Sequence, residues 1–192
     1  MTMQQSLDYI QENYKDTFFL DSGTLLGIHR DNQILKGDND IDLGIIGDKT
    51  FLLDSFLIDF KTKPFKISKI YFNGILIKIK LRKNKYSIDV NIYYNLGSFL
   101  GFPVRSSPIN NYFKRLIYFK SKSIEITNFT NQFKMFGVPF EILNDYLKDP
   151  YNTSKIEKYL AFRYGDWSKP SPNWNYLNDD GGFNNDLKLR DL

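Results

Sequence analysis

The chain has 192 residues, of which 42% are hydrophobic and 17% aromatic, and its formal net charge is +4. This length and composition predict a folded protein with a real core and exclude an intrinsically disordered chain. The sequence has no cysteine and a single histidine, which excludes disulfides, thiol nucleophiles and metal sites built from several such ligands. Any metal site should therefore use oxygen ligands, which favours magnesium or manganese.

The N-terminal segment is polar and has no apolar run, so we expect neither a signal peptide nor a membrane anchor. No later segment is long and apolar enough to span a bilayer, and we expect a cytoplasmic protein. We predict one domain over residues 1–192, with a catalytic core at 1–95 and a mixed helical and loop part at 96–192.

The first elements follow from hydrophobic spacing. Apolar residues at helical intervals predict an amphipathic helix over residues 3–14. We expect a short buried strand at 17–20, a tight turn, and a second helix over 24–30.

The start of the second helix carries Ser22-Gly23-Thr24, and its end carries Arg30. Backbone N–H groups at a helix start attract anions, so the first three residues are candidates to bind a phosphate. An ordinary Ser/Thr helix cap explains the same residues equally well. Arg30 is a candidate phosphate contact because a guanidinium offers paired donors, although a surface role fits as well.

Three aspartates, Asp38, Asp40 and Asp42, alternate along the next predicted strand, while Ile41 faces the core. Alternation places the three carboxylates on one face of the strand. Neighbouring carboxylates repel one another unless a cation offsets their charge. The pattern therefore suggests a divalent metal that holds a phosphate. A polar turn through residues 36–40 is the alternative, because Asp and Asn also cluster in turns.

A helix capped by Asp48 and ending before Pro64 is expected next, followed by a meander of strands. Asn73-Gly74 is the strongest short hairpin signal and joins predicted strands at 67–72 and 75–81. Between residues 61 and 85 lie nine Lys or Arg residues and no acid. This basic segment suits a polyanionic substrate such as a nucleotide, and a solvated hairpin face is the alternative.

The strand predicted at 86–94 alternates strictly, with Ile88 and Val90 facing the core and Asp89 facing the other side. Asp89 is the only acid between residues 61 and 94. If this strand lies beside the strand of Asp40 and Asp42, Asp89 joins their cluster. An aspartate on an open strand face is otherwise simply solvated.

After residue 95 the pattern is looser, and Gly97, Gly101, Pro103 and Pro108 indicate loops. Pro139 belongs to a predicted turn that precedes a helix. The predicted elements of this part are a helix at 112–117, a strand at 119–127, a turn at 136–139, a helix at 140–148, a helix opened by a Ser154-x-x-Glu157 capping box and stopped by Gly165, and an irregular segment at 166–184.

Three features together resemble the nucleotidyltransferase superfamily: Ser22-Gly23-Thr24 opening a helix, Asp40-x-Asp42 on one strand, and Asp89 on a later strand. The stretch DSGTLLGIHRDNQILKGDNDIDLGI is similar to the signature of the LicD and fukutin-related family. That signature is Gly-Thr-Leu-Leu-Gly, an arginine, and an aspartate run that ends in Asp-Ile-Asp. Residues 136–139 and 164–167 also resemble the ending of that family.

The chain departs from the family pattern just before the aspartates. Lys36-Gly37 stand where the family often has Pro-Trp, and Asn39 interrupts the aspartate run. Asp40 and Asp42, the pair that the resemblance assigns to metal, are both present.

The resemblance implies an α/β (α+β) nucleotidyltransferase fold, with a small mixed sheet flanked by helices and a helical C-terminal part. It implies transfer of a phospho-alcohol, such as phosphocholine or ribitol phosphate, from a CDP-activated donor to a glycan hydroxyl, with Mg²⁺ or Mn²⁺ as cofactor. It assigns metal binding and catalysis to Asp40, Asp42 and Asp89, and donor binding to Ser22, Gly23, Thr24 and Arg30. Within this scheme Asp89 either completes the metal shell or takes the proton of the acceptor hydroxyl.

Two other functions fit the same motifs. One is transfer of a nucleoside monophosphate from a nucleoside triphosphate to a small molecule, RNA or protein. The other is a non-catalytic module that keeps the fold and binds nucleotides. No basic and aromatic array typical of nucleic-acid binding is present, and we expect a CDP-activated donor and a glycan acceptor as partners.

Overall fold

The computed structural model of the chain describes residues 1–106, 123–126, 133–183, 185–188 and 192. The helix predicted at 112–117 lies outside the described residues, as do parts of the strand predicted at 119–127. The described residues form two compact units. The first comprises residues 1–93 with the strand at 123–126, and the second contains the described residues from 94 to 106 and from 133 onwards.

The described residues of the first unit form three α-helices: α1 (Met3–Tyr14), α2 (Ser22–Asp31) and α3 (Leu53–Lys61). Thr2 caps α1 by accepting a hydrogen bond from the backbone N–H of Gln5, whose side chain bonds back to Thr2. Helix α1 has the predicted bounds, because its capping box and its buried apolar stripe agree.

The prediction that Asp48 caps the next helix is wrong. Asp48 lies inside a 3-10 helix, Gly47–Leu52, that precedes α3, and no side chain caps the start of that 3-10 helix. The apolar stripe of α3 is confirmed, with Phe56 and Phe60 fully buried.

The strands are β1 (Phe19–Leu20), β2 (Asp40–Ile46), β3 (Lys66–Phe72), β4 (Ile75–Lys83), β5 (Tyr86–Asn95), β6 (Phe99–Arg105), β7 (Ser123–Ile126) and β8 (Phe133–Pro139). In the first unit they are ordered β1-β2-β5-β4-β3-β7. Strand β2 is parallel to β5 and β3 is parallel to β7, whereas the other neighbours are antiparallel. A mixed sheet with helices confirms the predicted α+β class.

The hairpin of β3 and β4 turns at Asn73 and Gly74, whose φ angles are +49° and +81°. Two consecutive positive φ angles are what a two-residue hairpin of the favoured hand requires, so this prediction is confirmed. Strand β5 also alternates as predicted, but both of its faces are covered. Asp89 and Asn91 are 3% and 5% exposed, so the polar face of β5 is not a solvated one.

Strand β1 fixes how the chain enters α2. Phe19 pairs with Gly44 of β2, and a Cβ atom at residue 44 would overlap the ring of Phe19. The ring also lies 5.3 Å from that of Tyr93 in β5. The glycine therefore lets an aromatic side chain pack directly on β2, immediately before the residues that begin α2.

In the second unit β6 pairs antiparallel with β8, and residues 94–95 of β5 pair with residues 100–101. Two expectations are wrong here. Residues 99–105 form a strand although Gly101 and Pro103 indicated a loop, and residues 136–139 end strand β8 where a turn was predicted.

The helices of the second unit are α4 (Phe140–Lys148), α5 (Thr153–Tyr164) and the short α6 (Tyr176–Asp179). Asn152 caps α5 by accepting from the N–H of Lys155, so the predicted capping box at Ser154 is wrong. Gly165 ends α5 with a φ of +65°, as predicted. Within the described part of the chain, no helix combines the length and apolar character needed to cross a membrane.

A buried ion pair orders part of the segment predicted to be irregular at 166–184. Arg163 of α5 is 1% exposed, and its Nε atom donates to Asp180 Oδ1 at 2.8 Å. The same guanidinium lies 4.4 Å from the ring centre of Phe136 and donates to the hydroxyl of Tyr159. This cluster holds residues 176–183, where α6 and a 3-10 helix form, against α5 and β8.

Candidate metal centre

Two of the three predicted aspartates lie on strand β2. Asp40 and Asp42 alternate with the fully buried Ile41, as the sequence predicts. Asp38 precedes the strand, so the prediction that it shares the strand face of the other two is wrong. Its carboxylate lies beside the start of α2, where a Cβ atom added at Gly23 would be 2.8 Å from Asp38 Oδ2.

The parallel pairing of β2 with β5 brings Asp89 to the same place. Asp42 is in register with Asp89, and one oxygen each from Asp40, Asp42 and Asp89 lies within 4.8 Å of the others. Strand β5 lies beside β2, so the condition on which Asp89 joins Asp40 and Asp42 is met. We call these three residues the acid cluster.

The acid cluster fits a hard divalent cation. Carboxylate oxygens are the ligands that hard cations such as Mg²⁺ prefer, and the three that come together here could hold one ion. Asp89 Oδ1 is buried and has no hydrogen-bond partner among the described residues. A buried oxygen without a donor costs free energy, and a cation at this position would satisfy it.

Two lysines of β4 bind the other oxygen of Asp89. Lys78 Nζ and Lys80 Nζ lie 2.7 Å and 2.8 Å from Asp89 Oδ2. Lys80 is directly opposite Asp89 across the antiparallel pairing of β4 and β5. Sequence reasoning noted the basic segment but missed this contact. The available signal was the spacing Lys78-x-Lys80, which places both lysines on one face of a strand beside β5.

Burial and the neighbouring charges raise the pKa values of Asp40 and Asp42, and the neighbouring lysines lower that of Asp89. Burial and then the charge of Asp89 raise the pKa of Asp40, and burial followed by the charges of Asp40 and Asp89 raises that of Asp42 well above its usual value. Burial also opposes ionisation of Asp89, but Lys78 and Lys80 outweigh it and lower the pKa of Asp89 to about 2. The cluster is thus an ionised carboxylate beside two carboxyl groups that ionise reluctantly without a cation.

The start of α2 is fixed by a buried aspartate that sequence reasoning passed over. Asp21 is fully buried, and its carboxylate accepts from the N–H of Ser22 and the hydroxyl of Tyr93, each at 2.7 Å. Ser22 adopts a φ of +48°, which is uncommon for a residue with a side chain. Asp21 and Tyr93 therefore join α2 to β5 close to the acid cluster.

Thr24 joins α2 to β2. It is 1% exposed, and its Oγ1 atom accepts a hydrogen bond of 2.8 Å from the backbone N–H of Asp42. The hydroxyl predicted to bind phosphate thus also holds the backbone of a candidate metal ligand.

Arg30 lies in the last turn of α2, about 12 Å along the helix axis from Ser22. Its guanidinium makes two hydrogen bonds of 3.0 Å to the carboxylate of Asp31, and this contact raises the pKa of Arg30. The structure therefore places Arg30 and the start of α2 at opposite ends of one helix.

Residues 15–99 match a family model described as LicD/FKTN/FKRP, nucleotidyltransferase domain. The matched segment contains β1, α2, β2, β4 and β5, and with them the acid cluster and both of its lysines. Comparison with curated proteins finds no match to the chain.

Proposed function

We propose that the protein is a metal-dependent transferase, on the premise that its residues 15–99 match a family model described as LicD/FKTN/FKRP, nucleotidyltransferase domain. It moves a phospho-alcohol from a CDP-activated donor to a glycan hydroxyl. The phospho-alcohol is phosphocholine or a polyol phosphate such as ribitol phosphate.

One observation carries the proposal. The parallel register of β2 and β5 sets Asp42 beside Asp89, and Asp89 presents a buried oxygen that no donor among the described residues satisfies. Paired carboxylates on neighbouring strands with an open ligand position favour a divalent cation, as a transferase acting on a diphosphate needs.

The proposed mechanism assigns the acid cluster to the cation. Asp40, Asp42 and Asp89 hold Mg²⁺ or Mn²⁺, which when bound supplies positive charge for the diphosphate of the donor. An oxygen of the acceptor hydroxyl attacks the phosphorus of the phospho-alcohol, and the bond from that phosphorus to CMP breaks. CMP leaves with the electron pair, and the hydroxyl proton passes to solvent.

The residues of α2 are proposed to position the donor. Ser22, Gly23 and Thr24 form the first turn, where backbone N–H groups favour phosphate. Thr24 in addition keeps Asp42 in place through its hydrogen bond to the backbone. Arg30 lies at the far end of α2, where it pairs with Asp31, and we assign it no contact with the donor.

The experiment is a thermal-shift panel with MgCl₂ or MnCl₂ and each of CDP-choline, CDP-ribitol, CDP-glycerol, CTP and ATP. A ligand that binds only the native state raises the melting temperature by mass action. We expect a metal-dependent shift with one CDP-alcohol, which is lost in Asp42→Asn, and release of CMP when the acceptor glycan is supplied.

Other outcomes select the other functions. A shift restricted to CTP or ATP, with pyrophosphate release, indicates nucleotidyl transfer, which the family description also names. Equal shifts with and without metal, unchanged in Asp42→Asn, indicate a binding module and contradict the proposal.

A further inference from the structure

We propose that Lys78 and Lys80 are built-in counter-cations that compete with the divalent cation for Asp89 and thereby keep the metal affinity of the free site low. The inference rests on the proposed metal site and deepens it, because it says when that site binds its ion. The two lysines are regulators of cation affinity, and neither is proposed as a cation ligand.

The geometry of the pair is specific. Both ammonium groups contact the same oxygen, Asp89 Oδ2, at 2.7 Å and 2.8 Å, and Oδ1 has no donor within the part of the chain that the structure describes. The Asp89 side chain is only 4% exposed, and those of Lys78 and Lys80 are 29% and 18% exposed. Water therefore screens these contacts less than it screens surface ion pairs.

The register of the sheet places Asp42, Asp89 and Lys80 in one row across three neighbouring strands. Asp42 lies opposite Asp89 across β2 and β5, and Asp89 lies opposite Lys80 across β5 and β4. Neighbouring strands are about 4.8 Å apart, so the positive charge lies one strand away from the candidate ion ligand. The pairing of the strands fixes the backbone positions from which both lysines reach Asp89.

The formal charges of the site explain why the two lysines would weaken the binding of a divalent cation that arrives alone. When all three carboxyl groups are ionised, as binding of a divalent cation requires, the acid cluster contributes three negative charges and the two ammonium groups offset two of them. A divalent cation alone is then repelled by Lys78 and Lys80 at close range. A cation that arrives with a nucleoside diphosphate brings negative charge with it, and the same two lysines favour the complex.

If the lysines had a purely supporting role, removing one of them would change the cation affinity in the opposite direction. If Lys78 and Lys80 only hold Asp89 in the orientation that binds the ion, removing either lysine weakens cation binding. If they are counter-cations, removing one strengthens it. Repulsion between a monovalent and a divalent cation about 6 Å apart, even in water, corresponds to about tenfold in affinity.

The test measures Mn²⁺ binding to the full chain by titration calorimetry, without nucleotide. The variants are Lys80→Met and Lys78→Met, and Lys80→Arg keeps the charge. The matched control is Lys69→Met, which removes a lysine from β3 on the opposite face of the sheet, where Lys69 pairs with Ile79. Circular dichroism confirms that each variant is folded before it is titrated.

We expect Lys80→Met and Lys78→Met each to lower the Kd for Mn²⁺ by about tenfold, and Lys80→Arg and Lys69→Met to match the wild type. Unchanged or weaker Mn²⁺ binding in both methionine variants overturns the inference. If Asp42→Asn abolishes binding in that case, the metal site stands and only the role of the lysines fails. No Mn²⁺ binding by any variant, including the wild type, overturns the metal site and the inference together.

Discussion

The hydroxyl of Thr24 in α2 accepts a hydrogen bond of 2.8 Å from the backbone N–H of Asp42 in β2. One side chain at the proposed phosphate site therefore fixes the backbone of a proposed metal ligand. The first turn of α2 and the acid cluster are positioned as one piece, so a change at Thr24 affects both.

Replacing Thr24 with valine keeps the shape of the side chain but removes the acceptor. Because the N–H of Asp42 is then left without this partner in a buried site, we expect the free energy of unfolding to fall by about 1–3 kcal/mol. Urea denaturation measures this loss, and Mn²⁺ binding should weaken in the same variant. Thr24→Ser retains the hydroxyl and should keep most of both properties. Equal behaviour of the valine and serine variants would contradict a role for the hydrogen bond.

The raised pKa of Asp42 gives the metal-free protein a specific pH dependence. Burial, then the charges of Asp40 and Asp89, raise this pKa well above 3.8, so the native state binds the proton more tightly than the unfolded chain does. The free energy of unfolding must then decrease as the pH rises from about 4.5 through the raised pKa.

Asp42→Asn tests this dependence, because asparagine cannot ionise. In EDTA, we expect its urea midpoint to fall less than that of the wild type between about pH 4.5 and 8, while transferase activity with metal is lost. This pH range lies above the titration of Asp89, whose pKa is lowered to about 2. Ionisation of Asp89 changes stability in the opposite direction and at lower pH. Identical pH profiles for variant and wild type would rule out this coupling.

Two glycines of α2 give a matched pair of alanine variants. A Cβ atom at Gly23 would be 2.8 Å from the mobile carboxylate end of Asp38, whereas one at Gly27 would be 2.6 Å from the backbone oxygen of Gln33. We therefore expect Gly23→Ala to melt near the wild-type temperature. Gly27→Ala should lose about 1–3 kcal/mol because backbone has to move.

The functional readout of this pair is the metal-dependent thermal shift with the CDP-alcohol that the wild type binds. Gly23→Ala should reduce it several-fold, because the new methyl group and the displaced Asp38 both lie at the proposed phosphate site. A normal shift in Gly23→Ala would remove the first turn of α2 from the donor site.

The ion pair of the second unit predicts a large loss of stability. Arg163→Met leaves the fully buried Asp180 without its partner, and breaking such a pair costs about 3–5 kcal/mol. Urea denaturation should show this loss. Lys158→Met is the control, because Lys158 pairs with Asp145 at the surface, with side chains 51% and 47% exposed, and should change stability by less than about 1 kcal/mol. Similar losses in both variants would contradict the role assigned to burial.

Local signals were sufficient where one short stretch decides the structure. The Asn73-Gly74 turn needs two residues with positive φ, and both the capping box and the apolar stripe of α1 lie within residues 2–14. The metal motif was also visible, because Asp40 and Asp42 alternate along a strand. Whether Asp89 lies near Asp40 and Asp42 depends on which strands pair. The sequence supported that pairing only through a family resemblance.

Other features failed because their cause lies far along the chain. Residues 136–139 read as a turn, yet Gly137 pairs with Gly101 in a two-stranded ladder that no local pattern reveals. Arg163 and Asp180 looked unremarkable, since nothing in the sequence indicates that the two charges are buried together. Asp38 fits the alternation of the strand, but β2 begins only at Asp40.

The row of Asp42, Asp89 and Lys80 also bears on how the chain finds its fold. A slip of one residue between β4 and β5 would set the apolar Ile79 beside Asp89 and turn Lys80 into the core face, because side chains alternate. Such a misaligned hairpin would bury an aspartate without a cation and a lysine without an anion, which is strongly unfavourable. The same charges that we assign to the control of metal binding thus also select the correct alignment of strands during folding.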